Sequence, residues 1–291
     1  MSDKRRFWGS EAASGLALIS PTAIYAILLL AAPLATTLLY SVFTDGYLVV
    51  EPVFTLKNYT DAWTNEVVQS VMARSVLVSM LVTAATVILA YPVAYFISFH
   101  GGDRKGFWLF VITLPFWASY LLRIMSWKVI LGYEGVLNTA LQWLGLIAEP
   151  LTSLLYNVNA VILTLVHSWA AFAILPIFVS LEKVDRTLLE AAADLGDGPI
   201  RRFLRVTLPL TLPGVVSALI IVMIPTVGDY VTPKLVGGKD GVMIADTIQA
   251  QFGRASNWPL GAALAVSTMA IVTATAGLVV LGVKLLTRSL R

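Results

Sequence analysis

Three stretches of this 291-residue chain bring together groups that can do chemistry. The first is Val227-Gly228-Asp229-Tyr230-Val231. Its carboxylate offers a protonated amine a charge-assisted hydrogen bond, and the adjoining aromatic face offers a cation–π contact. An ionisable group in or beside an apolar run is a functional candidate, because lipid exposure is costly; the competing reading is an acid that merely ends a helix. The second stretch carries Trp117, Tyr120 and Arg123 at successive three-residue steps within one expected span, so they share a helix face. An interfacial aromatic belt, packing against a partner subunit and stacking on a substrate all use such a face. Arg123 and Lys128 have the wrong sign for a cationic ligand and read as partners for acids on other helices or for lipid phosphate. His167 reads as a hydrogen-bond partner between helices, since a lone histidine does not make a metal site.

The third stretch is polar and long. It runs over about 182–209, from Glu182 through Asp185, Glu190-Ala191-Ala192-Ala193-Asp194-Leu195-Gly196 and Pro199 to Arg205, Val206 and Leu208-Pro209. Asp185 can cap a helix from residue 186, Gly196 can take the left-handed conformation that ends it, and Pro199 suits the first turn of a second short helix. The expectation is a helix–turn–helix at the membrane surface. Its alanines permit close approach of another protein, Leu188, Leu189, Leu195 and Phe203 are apolar anchors, and Arg201, Arg202 and Arg205 can reach headgroups or acidic partner residues. An amphipathic helix at the lipid interface would look the same.

The elements that hold these stretches are set by composition. Hydrophobic residues make up 58% and charged residues 13%, against about 45–50% and about 25% in soluble domains. That much apolar surface needs lipid as its solvent. Six spans follow, at about 17–43, 75–99, 107–131, 159–181, 210–231 and 260–286, since a bilayer core needs roughly 20 apolar residues of helix. The first span follows Lys4-Arg5-Arg6, but it is too long for a secretory signal and reads as retained. With both termini cytoplasmic, thirteen basic residues fall on the inner side and five on the outer, as the positive-inside rule requires. The outer segments lean acidic, with Asp45, Glu51, Asp61, Glu66, Glu134 and Glu149, which suits a cationic solute, although positive-inside asymmetry alone produces the same lean. The organisation expected is a cytoplasmic segment 1–16, a transmembrane domain 17–286 and a cytoplasmic tail 287–291. Pro92, Pro115, Pro176 and Pro225 fall inside or near the ends of spans and favour kinks.

Several functions are excluded. The net charge of +3 has no long basic tract for nucleic acid, and the absence of cysteine removes thiolate chemistry. There is no Gly-x4-Gly-Lys-Ser/Thr loop, so ATP hydrolysis would need another subunit.

The run Glu190-Ala191-Ala192, three residues, Gly196, nine residues, Val206, one residue and Leu208-Pro209 resembles the EAA loop of ABC importer permeases, with valine in place of the family's isoleucine. Leu114-Pro115-Phe116-Trp117, the 227–231 segment, Leu235-Val236-Gly237-Gly238 and Trp258-Pro259-Leu260-Gly261-Ala262 are similar to spermidine/putrescine importer permeases; permeases for opines, aminophosphonates, thiamine and ferric iron share parts of them. The resemblance implies an all-α integral membrane protein with the type I importer permease fold. It implies a second permease, two ATP-binding subunits that carry ATP and magnesium, and an extracytoplasmic solute-binding protein, in a bacterial inner membrane. Glu190, Ala191, Ala192, Asp194, Leu195 and Gly196 would dock on the ATPase, and Asp229, Tyr230, Trp117 and Tyr120 are the candidates for a substrate path. No cofactor is expected in this chain. The rival from another class, a self-sufficient secondary carrier, would favour inverted repeats, which the sequence lacks.

Overall fold

The computed structural model describes residues 11–46 and 49–289. Lys4, Arg5, Arg6 and Arg291, which bear on the expected orientation, lie outside the described residues. The chain divides into two compact units, residues 1–64 with 251–267 and residues 65–250 with 268–291.

The first unit contains helix α1 (Glu11–Ser41), a hairpin of β1 (Phe43–Asp45) and β2 (Val50–Phe54), and helix α2 (Lys57–Thr64). Apolar residues surround α1 on every side, and Leu18 and Leu30 are largely exposed. A helix apolar all round suits lipid. Asn58 ties the end of α1 to the hairpin by donating to the Ser41 and Phe43 carbonyls at 3.0 and 2.8 Å. Tyr59 adds a hydroxyl bond to Ser41 at 2.8 Å. The short antiparallel hairpin and α2 occupy what the sequence offered only as a loop.

The second unit is built on three helices, α3 (Glu66–His100), α7 (Val158–Glu182) and α10 (Leu208–Val227). Asn65 caps α3 by accepting from Val67 and Val68, and Asn157 caps α7 by accepting from Ala160. Val82, Leu165, Ile177 and Val222 are fully enclosed among them. Lipid is as apolar as leucine, so helix association here rests on close packing and interhelical hydrogen bonds. Ser79 donates to the Met223 carbonyl at 3.0 Å, and the Tyr91 and Thr211 hydroxyls meet at 2.8 Å. Gly214 lets α10 approach α7: a Cβ there would stand 2.5 Å from the Pro176 carbonyl and from Ser180.

The third span differs from the expectation of one helix over 107–131. It is α4 (Lys105–Thr113), a 3₁₀ turn Leu114–Trp117, and α5 (Tyr120–Leu131), followed by α6 (Val136–Trp143). Ala118 and Ser119 are extended, with ψ of 150° and 137°. The two halves bend by 87°. Pro115 contributes, because it cannot donate the backbone bond that would continue α4. Trp117 and Tyr120 therefore flank a break and do not share a helix face, whereas Tyr120 and Arg123 do.

Among the described residues five helices are long and apolar enough to cross a membrane, and the bent pair makes a sixth if its two halves count as one span. The second crossing begins at Glu66, earlier than expected, so Arg74 lies on α3 instead of in an outer loop. The last is α12 (Trp258–Ser289), preceded by α11 (Ile244–Gly253).

Candidate functional site

The hairpin is assembled by local rules. Helix α8 (Arg186–Asp194) starts at Asp185, whose Oδ1 accepts the Thr187 N–H at 2.9 Å. The Thr187 donors hold the Asp185 carboxyl below its ordinary value. At the other end Gly196 has φ of +87°, a conformation glycine adopts without strain. The Gly196 N–H donates to the Ala193 carbonyl at 2.9 Å and the Asp197 N–H to that of Ala192 at 3.0 Å, satisfying carbonyls that the helix end leaves open. Helix α9 (Pro199–Arg202) follows, with Pro199 in its first turn. These local expectations hold. The second arm, however, does not stop at the surface. It runs through a π turn, Phe203–Thr207, into α10, so residues 199–227 form one apolar helix. Pro209 lacks the N–H that would bond the Arg205 carbonyl, and the π turn absorbs the defect.

The hairpin leaves its apolar groups outward: Leu195 is 89% and Ile200 73% exposed, with Leu188 and Leu204 nearly half exposed. Glu190, Ala191, Ala193, Asp194 and Gly196 are exposed as well, while Ala192 is buried. Phe203 turns inward, meeting Tyr91 edge-on with ring centres 5.5 Å apart. Arg205 reaches Asp197 at 3.5 Å across the turn.

The Asp229 corner has the opposite character. Helix α10 ends at Val227, and Asp229 caps the next helical segment through Oδ1, which accepts from the Val231 and Thr232 N–H groups at 2.9 and 3.3 Å. Its Oδ2 accepts from the Tyr120 and Thr232 hydroxyls, both at 2.5 Å, and those hydroxyls lie 2.9 Å apart. Asp229 is 8% exposed. A carboxylate has about four lone-pair sites, and here each is used within the chain. The structure thus joins Asp229 to Tyr120, 109 residues away. Trp117 and Tyr230 stand clear of that triangle, 78% and 43% exposed.

Among the described residues Arg123 pairs with no acid, one of the two partners expected for it. Its guanidinium lies 4.5 Å from the centre of the Phe116 ring and reaches the Ser168 carbonyl at 3.5 Å, while its Nε is buried without a partner. Lys128 lies 5.9 Å from the Tyr156 ring. Trp127 donates to His167 Nδ1 at 3.1 Å, the inter-helix role expected of that histidine. Thr232 escaped the sequence reading, although Asp229 is of a residue type that caps helix starts. Trp169, within 6.4 Å of Tyr120, carried no signal that could have found it.

An apolar helical bundle crossing the membrane several times, with a polar hairpin offering exposed leucines between two crossings, is the form of a transport permease driven from outside itself. The chain belongs to the family of binding-protein-dependent transport system inner membrane components, whose model matches residues 59–289. It is 36% identical over 223 residues to the spermidine/putrescine transport system permease protein PotB of Escherichia coli, covering 77% of this chain and 80% of that one. The same protein of Haemophilus influenzae is 36% identical over 212 residues, 73% of each chain. An inner membrane ABC transporter permease of Escherichia coli, YdcU, is 34% identical, covering 76% of this chain and 74% of that one. In structure the chain is similar to a chain of a bacterial ABC transporter that imports the polysaccharide alginate, with a TM-score of 0.70, covering 99% of this chain and 97% of that one. That pair is 16% identical, so the likeness speaks for the fold, which is the type I importer permease fold. These relatives are transport subunits, and the chain is a multi-pass membrane permease, not an enzyme.

Proposed function

We propose that this permease is one of two membrane subunits of an ATP-driven polyamine importer in a bacterial inner membrane, with both termini cytoplasmic. The observation that carries the substrate is the 36% identity to spermidine/putrescine permeases over 77% of the chain. The acidic lean of the outer segments supports a cationic solute. ATP and magnesium belong to two partner subunits, and solute arrives on an extracytoplasmic binding protein.

Coupling runs through the hairpin. Glu190, Ala191, Asp194, Leu195 and Gly196 meet the ATPase on the exposed side of α8, and buried Ala192 seats that helix on its own chain. Closure of the ATPase dimer displaces the hairpin, and the two permeases rock between inward and outward openings.

The exposed rings of Trp117 and Tyr230 supply cation–π contacts to the passing ammonium groups. Asp229 contributes charge at a distance and holds Tyr120, because its lone pairs are already occupied. ATP hydrolysis by the whole transporter in nanodiscs, with binding protein, tests this. Stimulation by putrescine or spermidine is the expected result. An ATPase indifferent to polyamines would discard the substrate, and absence of a copurifying ATPase would discard the importer.

A further inference from the structure

Four helix ends meet where the hairpin joins the bundle. Glu182 is the last residue of α7, and its Oε1 accepts the Ser98 hydroxyl at 2.6 Å, near the end of α3. Lys105, the first residue of α4, donates to both oxygens of the same carboxylate, at 2.7 and 2.9 Å. Arg186, the first residue of α8, donates to the Ser98 carbonyl at 3.4 Å, and its guanidinium lies 5.6 Å from the Phe99 ring. Ser98 is 2% exposed. The link from α7 to α8 is only Lys183, Val184 and Asp185, with Val184 buried and Asp185 spent on the helix cap. This leaves α8 no slack, so it cannot tilt without carrying the end of α7 or breaking the Arg186–Ser98 bond.

From this geometry we infer that Glu182 is a positioning residue for energy coupling, clasping the hairpin to the third crossing through Lys105. The inference rests on the coupling role proposed for α8. Helix α4 is nine residues long and continues through the 3₁₀ turn Leu114–Trp117 to the break that Trp117 and Tyr120 flank. A displacement of α8 therefore reaches that break along one rigid element, pulled by a two-pronged ion pair. Lysine and carboxylate are both needed: Glu182→Gln keeps a hydrogen bond and loses the charge, and Lys105→Met loses both.

The test uses the whole transporter in proteoliposomes, measuring ATP hydrolysis and polyamine uptake in the same vesicles. Glu182→Gln and Lys105→Met are expected to hydrolyse ATP within about twofold of the parent yet carry at least fivefold less solute per ATP, at the low end of the roughly 5–150-fold range of site-to-site coupling. The exchanged pair Lys105→Glu with Glu182→Lys should recover part of that ratio. An unchanged ratio in both single variants would overturn the inference, as would a parallel loss of ATPase and copurifying subunits, which would mark the pair as scaffolding. Glu190→Lys in the same assay separates the two levels. Its loss of uptake beside an unaffected Glu182→Gln removes the clasp alone, and normal uptake by Glu190→Lys removes the coupling role itself.

Discussion

The hairpin and the Asp229 corner belong to the same helical unit and handle their functional groups in opposite ways. The hairpin satisfies its backbone with bonds that span a few residues, through Asp185, Gly196 and Pro199, and so the side chains on its outer face stay uncommitted. Leu195 and Ile200 face outward with nothing of their own chain over them. The corner spends its side chains inward, closing Asp229, Tyr120 and Thr232 on one another. The difference teaches where each region's partner is. The hairpin is complete as a shape and unfinished as a contact, while the corner is finished as a contact and serves by holding two elements at a fixed angle.

The largest effect should come from the hairpin's exposed face. Glu190→Lys or Gly196→Asp should abolish uptake while leaving membrane insertion intact, read by solute uptake in vesicles alongside protein content of the membrane fraction. Normal transport by both would erase the contrast. Next comes Gly214→Val, which places methyl groups against the Pro176 carbonyl and Ser180. Overpacking of this kind costs about 1–3 kcal/mol, seen as a lower thermal midpoint of the purified protein.

The corner should respond more moderately and in a diagnostic way. Asp229→Asn replaces an oxygen that accepts two hydroxyls with an amide donor, leaving buried groups unsatisfied at about 1–3 kcal/mol. Thermal stability should fall together with transport rate. A raised polyamine requirement at unchanged stability would mean that the carboxylate meets solute directly, which would blur the contrast drawn above.

The smallest effect is expected from pH. Burial, reinforced by Asp229, pushes the Asp246 carboxyl up from 3.8 to about 6, against the opposing Met243 N–H and Lys234. A carboxyl raised by folding favours the fold while protonated, so stability present below about pH 4 is lost as pH rises through about 6. Asp246→Asn should flatten the thermal midpoint across that window, and an unchanged slope would assign it to other groups.

Legibility in the sequence followed the same division. The capping of α8, its glycine stop and the proline start of α9 were readable because each depends on residues within five positions. The five unbroken spans were readable from apolar length, and the bent third one was not. Its break depends on Ala118 and Ser119 being extended, and neither residue type announces that. The pairing of Tyr120 with Asp229 and of Lys105 with Glu182 could not be read, since 109 and 77 residues separate the partners. The acid expected as one partner for Arg123 is missing for a related reason: an aromatic face stands there, and rings leave no charge pattern in a sequence.

The π turn at Phe203–Thr207 sets the phase between two parts of one helix. A regular helix advances about 100° per residue, so one extra residue in a turn rotates everything before it by about that angle. The arginines of α9 and the wall formed by α10 thereby take independent azimuths on a common axis. Deleting a single residue within the turn would swing the arm that carries Ile200 and Arg201 about a quarter of a revolution, and would leave Pro209 inside the helix with no turn to absorb its missing N–H.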